Sequence, residues 1–143
     1  MQSSVCPILS SRQLAFISQK LYMFGMATDQ TARWLERVFT ALSDPLRARI
    51  LSILAEYEVT VSTLVEVMHT VQPVISRQLA HMREAQLVET RREGKWIWYS
   101  LQPPPNGPAG AVLLDALQQL KQTKQTQIDL AKLTAQGKRT TGL

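Results

Sequence analysis

From Asp29 onward, apolar residues return every three or four positions and are interrupted by short breaks, the pattern of successive short helices. Trp34, Leu35, Val38, Phe39, Ala41 and Leu42 form the first stripe, with Asp29 as its N-cap. Ser43-Asp44-Pro45 breaks it and starts a second helix to about Tyr57, with Asp44 as cap, Pro45 in the first turn, and Leu46, Ile50, Leu51 and Leu54 facing inward. A β-branched run, Val59-Thr60-Val61, precedes a short third helix capped at Ser62 and carrying Leu64, Val65, Val67 and Met68. Thr70, Val71 and Gln72 connect it to a fourth helix that has Pro73 at its start and Ile75, Leu79, Met82 and Ala85 on its buried face. Two short helices across so tight a turn predict a helix-turn-helix.

Beyond the fourth helix the period falls to two. Leu87–Arg91 and Lys95–Leu101 read as strands, joined through Arg92-Glu93-Gly94, where glycine supplies the positive φ of a hairpin bend. Pro103-Pro104-Pro105-Asn106-Gly107-Pro108 continues neither strand nor helix, so it is a stiff connector. A last helix follows from about Ala109, with Val112, Leu113, Ala116, Leu117 and Leu120 on one face, continued more weakly by Ile128, Leu130, Ala131 and Leu133. The fold class predicted is mainly α with a small β-hairpin: a dimeric winged helix-turn-helix of five core helices plus a two- to three-strand wing. The boundaries predicted are an N-terminal arm over 1–28, partly helical or disordered, a core over 29–102, a connector and dimerisation helix over 103–135, and a flexible tail over 136–143. Met26-Ala27-Thr28-Asp29 reads as a fresh beginning, so the upstream stretch is either an added arm or the product of an upstream start.

Charge narrows the partners. Sixteen Lys and Arg against eleven Asp and Glu leave a formal charge of +5, which favours a polyanion. The sole thiol, Cys6, rules out an intrachain disulfide and a multi-cysteine zinc site within one subunit, in keeping with a reducing compartment. No apolar run reaches the roughly 20 residues of a membrane span and no secretory leader is evident, so no membrane partner and a cytoplasmic location are expected. An enzyme is not expected either, because there is no acid/base pair, activated nucleophile, metal cluster or Gly-rich phosphate loop.

The run Phe39-Thr40-Ala41-Leu42-Ser43-Asp44-Pro45-Leu46-Arg47-Ala48-Arg49-Ile50-Leu51 resembles the opening helices of the ArsR/SmtB repressors. Gln72-Pro73-Val74-Ile75-Ser76-Arg77-Gln78-Leu79 resembles their recognition helix, and Leu87-Val88 through Arg91-Arg92-Glu93-Gly94-Lys95 to Tyr99-Ser100-Leu101 resembles their wing. The resemblance implies a repressor on double-stranded DNA, and the first and last helices carry more apolar surface than a four-helix core with a small hairpin can cover, which predicts a homodimer on an inverted-repeat operator. It also brings departures. Where family members carry a Cys-x-Cys pair this chain reads Val59-Thr60-Val61-Ser62-Thr63-Leu64, and the last helix has Asp115 and Asp129 but no His, so no metal site and no cofactor are expected and the effector is unidentified. Gln86 replaces the glycine usual before the wing; in a left-handed cap it would cost about 1 kcal/mol.

Helix geometry alone picks out the candidate contacts. With Ile75, Leu79 and Met82 inward, a rotation of about 100° per residue puts Val74, Arg77, Gln78 and His81 outward, and Gln72 and Ser76 lie at the N-terminal end with the unbonded backbone N–H groups. A guanidinium at Arg77 suits two acceptors of guanine, and an amide at Gln78 suits adenine. Arg91, Arg92 and Lys95 crowd the hairpin tip, where they either meet phosphates or only solubilise the turn. Arg47 and Arg49, two apart, face different ways, and one is expected to bond a helix end or an acid such as Glu56 or Asp44. His69 is expected to cap carbonyls of the third helix. Trp96 and Trp98 share one strand face, and Ile97, Tyr99 and Leu101 the other. Two further readings stay open: a winged-helix protein-interaction module using the tryptophans, and a thiol- or redox-responsive repressor using Cys6.

Overall fold

The computed structural model describes residues 11–136, and before Asp29 only the side chains of Arg12 and Ala15. Cys6 and the end of the tail lie outside the described residues. Two compact units meet in sequence between Trp34 and Leu35, within one helix, α1 (Ser11–Leu42). The sequence reading started this helix at Asp29; instead it begins at Ser11, since residues 11–28 are mostly good helix formers and include no proline. Asp29 is not a cap but pairs with Arg33 one turn on.

In the second unit, α2 (Pro45–Glu56) is the central element. Asp44 Oδ1 accepts from Arg47 N at 2.9 Å as its N-cap, and Pro45 occupies the first turn where no amide donor is needed. Ile50, Leu51, Ile53 and Leu54 are all fully buried, so the middle of α2 is enclosed on nearly every side. It packs against the wing and against both C-terminal helices.

The helix-turn-helix follows: α3 (Val61–Met68), capped by Thr60 rather than Ser62, and α4 (Gln72–Glu84). The wing is an antiparallel pair, β1 (Val88–Glu93) and β2 (Trp96–Leu101), in register Val88↔Leu101 through Glu93↔Trp96. Arg92 and Glu93 belong to the strand, and the bend is Gly94-Lys95, with Gly94 at φ 59° as a tight hairpin turn requires. The β-branched run before α3 contributes a single bridge, Val59 to Tyr99, whose two N–H···O bonds are 3.0 and 2.8 Å. Burial along the hairpin falls from base to tip rather than alternating between faces. Val88 and Leu101 are buried, Trp98 and Tyr99 half-buried, and Trp96 and Ile97 exposed, because only the base rests on the core.

The Pro-rich connector leads into α5 (Pro108–Lys121). A Cβ at Gly110 would stand 2.0 Å from the Pro105 carbonyl oxygen, so only glycine lets the connector fold back so closely. The expected single last helix is two, giving six helices among the described residues instead of five. The Thr123 hydroxyl donates back to Leu120 O at 2.7 Å, closing α5, and α6 (Lys124–Ala135) restarts at once. No helix among the described residues is long and apolar enough to cross a membrane.

Candidate nucleic-acid interface

Two left-handed residues, neither a glycine, aim α4 and the wing. His69 ends α3 at φ 51°, with Thr70 N bonded to Val65 O at 3.2 Å, and this reversal lets α4 begin three residues later, at Gln72. The ring of His69 does not cap carbonyls, as the sequence reading had it. Lys132 of α6 does so, donating to Val67 O and to His69 Nε2, each at 3.0 Å. At the far end of α4, Gln86 adopts φ 59° in a paired cap: Leu87 N bonds Met82 O at 2.9 Å and Gln86 N bonds Arg83 O at 3.0 Å. The left-handed turn expected of the missing glycine is therefore present, and glutamine occupies it.

Between these turns α4 sorts its side chains cleanly. Ile75, Leu79 and Met82 are buried; Gln72, Ser76, Arg77 and His81 are exposed; Val74 and Gln78 are half-buried. The helix opens at Val71 without a side-chain cap, leaving its first turn without a side-chain acceptor. Arg77 makes no hydrogen bond or ion pair among the described residues. His81 Nδ1 lies 4.0 Å from Glu84 Oε2, both strongly exposed. Gln78 is different: its Oε1 accepts from Arg47 Nη1 at 3.3 Å.

The two arginines of α2 take the structural roles foreseen for one of them. Arg47 closes the C-terminal end of α1, donating through Nη2 to Thr40 O at 2.8 Å and through Nε to Ala41 O at 3.2 Å. Arg49 makes a two-pronged pair with the fully buried Asp129 of α6, at 2.8 and 3.0 Å. Nothing in the spacing marked Asp129 as this partner beyond its being an acid within an apolar stripe.

The wing cations divide. Arg91 is held by Glu58 through Nε and Nη2 at 2.9 and 2.8 Å, and by Glu93 through Nη1 at 3.0 Å. The hydrogen bonds to Glu58 and then Glu93 push its pKa above the ordinary arginine value. Sequence reasoning missed Glu58, although the β-branched run beside it was a usable signal: the Val59–Tyr99 bridge sets Glu58 beside β2, within reach of Arg91 on β1. Arg92 reaches only Gly94 O, at 3.2 Å, and Lys95 sits 5.2 Å from the centre of the Trp96 ring, so both cations stay exposed at the tip.

The hydroxyls of the stretch before and at the start of α3, and Asp129 of α6, are already engaged. Thr60 Oγ1 caps α3 and bonds Ser62 Oγ at 2.9 Å and Thr63 Oγ1 at 3.1 Å, and Asp129 is neutralised by Arg49. Neither set fits a soft or borderline ion, and among the described residues no three His, Cys, Asp or Glu converge.

Residues 44–90 match the family model described as "Bacterial regulatory protein, arsR family". The arsenic resistance transcriptional regulator ArsR1 of Pseudomonas putida is 43% identical over 67 residues, 46% of this chain and 52% of that protein. The transcriptional repressor SdpR of Bacillus subtilis is 34% identical over 67 residues, 47% of this chain and 74% of that one. The chain spans about half the length of most of the curated relatives it matches. Among solved structures, the transcriptional repressor BigR of Xylella fastidiosa superposes with a TM-score of 0.54 at 27% identity, over 69% of this chain and 97% of that one. The match of α2 to β1 in sequence, and of the winged helix-turn-helix in structure, places the chain in the ArsR family of bacterial regulatory proteins.

Proposed function

We propose that this protein is a homodimeric, sequence-specific regulator of transcription that binds double-stranded DNA at an inverted repeat and acts as a repressor. One observation carries the reading: α4 turns an edge of Gln72, Ser76, Arg77 and His81 to solvent, with Arg77 unpaired among the described residues, while Arg92 and Lys95 project from the adjacent wing. An edge of donors on a helix fits a major groove about 12 Å wide, and cations on a hairpin suit the flanking phosphates. Val74 offers an apolar contact to a thymine methyl and Gln78 a polar one to a base edge. Arg91, tied to Glu58 and Glu93, orders the wing instead of contacting phosphate. As a DNA regulator the protein works in the cytoplasm.

Dimerisation is supported by apolar surface on the C-terminal helices, where Val112, Leu114 and Ile128 are exposed. A two-fold pair would set the recognition helices about 34 Å apart along the duplex. The donor chemistry argues for a signal other than a thiolate-bound metal, either an unidentified small molecule or the regulator's own abundance. A gel shift against the DNA upstream of the chain's own coding region, with and without Arg77→Ala, tests the reading. Retardation by the wild type, lost in the variant and indifferent to chelator, supports it; retardation equal for both proteins on any duplex overturns it.

A further inference from the structure

Gln78 is the one residue of the outer face of α4 whose hydrogen-bonding polarity is already decided inside the protein. A glutamine amide can give through its nitrogen and accept through its oxygen, and adenine recognition uses both at once. Arg47 has only donors, so its contact at 3.3 Å requires the Gln78 oxygen to face it and the NH₂ group to point away. Arg47 is itself fixed: its Nη2 and Nε donate to the Thr40 and Ala41 carbonyls at the end of α1, Asp44 Oδ2 lies 3.9 Å from Nη1, and its side chain is only 17% exposed. Gln78 Nε2 makes no bond among the described residues.

We infer that Arg47 is a specificity-positioning residue: by holding the Gln78 oxygen it makes Gln78 a donor-only reader, selecting guanine and rejecting adenine and cytosine at the base it meets. The inference rests on the DNA-binding reading above. Guanine presents two adjacent acceptors, N7 and O6, to the outward NH₂. Adenine sets its own amino donor beside N7, and cytosine presents only a donor. The polarity would have been invisible to any account of α4 alone, because the residue that imposes it lies on α2 and leans on α1.

The test is selection of operators from random duplexes by the full chain, followed by affinities on duplexes differing at one position. Gln78→Ala locates the position, being the one where discrimination collapses. There the wild type is expected to favour guanine over cytosine by roughly five- to a hundredfold, and over adenine by a smaller factor. Arg47→Met, keeping the stem but freeing the amide, should bring the guanine/adenine ratio towards one. Gln78→Glu, with one oxygen still on Arg47 and the other outward, should turn the preference to cytosine. A wild-type preference for adenine at that position, a folded Arg47→Met with the ratio unchanged, or Gln78→Glu still favouring guanine overturns the inference. If Arg47→Met does not fold by circular dichroism, Gln78→Glu decides alone. Recovery of no preferred duplex by the wild type defeats the DNA-binding reading itself, a result distinct from a selected operator with the wrong base at this position.

Discussion

Arg49 and Arg77 belong to helices of the same small unit, and a charge count treats them alike. Arg49 grips a carboxylate with no exposure to water, and its pairing ties α6 to α2. Arg77 has no partner among the described residues and projects from the recognition helix. The wing repeats the contrast over adjacent residues, with Arg91 clasped by two acids and Arg92 meeting only a turn carbonyl. Positive charge therefore serves two ends in this protein, fastening and reaching. In these two pairs, what separates them is whether an acid from a distant part of the chain arrives beside the arginine.

The strongest way to break the comparison is at Asp129. Asp129→Ala leaves the Arg49 guanidinium, three-quarters buried, without its counter-charge, and the loss in stability should be about 3 kcal/mol by denaturant melts. A double variant, Arg49→Met with Asp129→Leu, should recover much of that loss, since exchanging a buried pair for apolar side chains avoids the stranded charge. At temperatures where either protein stays folded, operator affinity should be little changed. Arg77→Ala should do the reverse: leave the melt where it is and weaken specific binding by about 1–3 kcal/mol, measured by fluorescence anisotropy on a selected operator. If Arg77→Ala instead shifts the melt and spares the binding, the division between fastening and reaching arginines fails.

Much of this was legible before any coordinates. The cap and break at Asp44-Pro45 and the stop at the Pro-rich connector are local chemistry, and the burial of Ile75, Leu79 and Met82 follows from helical period alone; the structure has all three, with the helix after the connector starting at Pro108 instead of about Ala109. Non-local pairing was not legible. Glu58 with Arg91, Asp129 with Arg49, and Lys132 with the Val67 carbonyl join residues 33, 80 and 65 positions apart, and periodicity carries no information about them. The division of the last helix at Thr123 was missed because its apolar stripe continues across the break, while a hydroxyl bonded back to Leu120 O ends the first piece.

Gln86 lies where the fastened and reaching regions meet, between the last turn of α4 and β1. The resemblance flagged it as a missing glycine, and φ 59° shows the backbone cost still present. Gln86→Gly should stabilise the fold by about 1 kcal/mol in thermal melts. Operator affinity should hold, because the cap bonds from Leu87 N and Gln86 N are backbone bonds that glycine keeps. An unchanged melt would mean that the glutamine side chain already offsets the strain.

The smallest effect is the sharpest discriminator, since it compares neighbouring cations on one strand and turn. Each cation that neutralises a phosphate should contribute about 0.9 to the slope of log affinity against log salt concentration. Arg92→Ala and Lys95→Ala should each lower that slope by about this much, with little change in sequence preference. Arg91→Ala should leave the slope as it is, because Glu58 and Glu93 already balance its charge where it sits. Its effect should show instead as looser coupling between the wing and the residues before α3, read as faster amide hydrogen exchange at Val59 and Tyr99, whose bridge lies beside the pair. Equal slopes lost from all three variants would mean that DNA draws Arg91 away from its acids, and that fastening in this wing gives way once a phosphate competes.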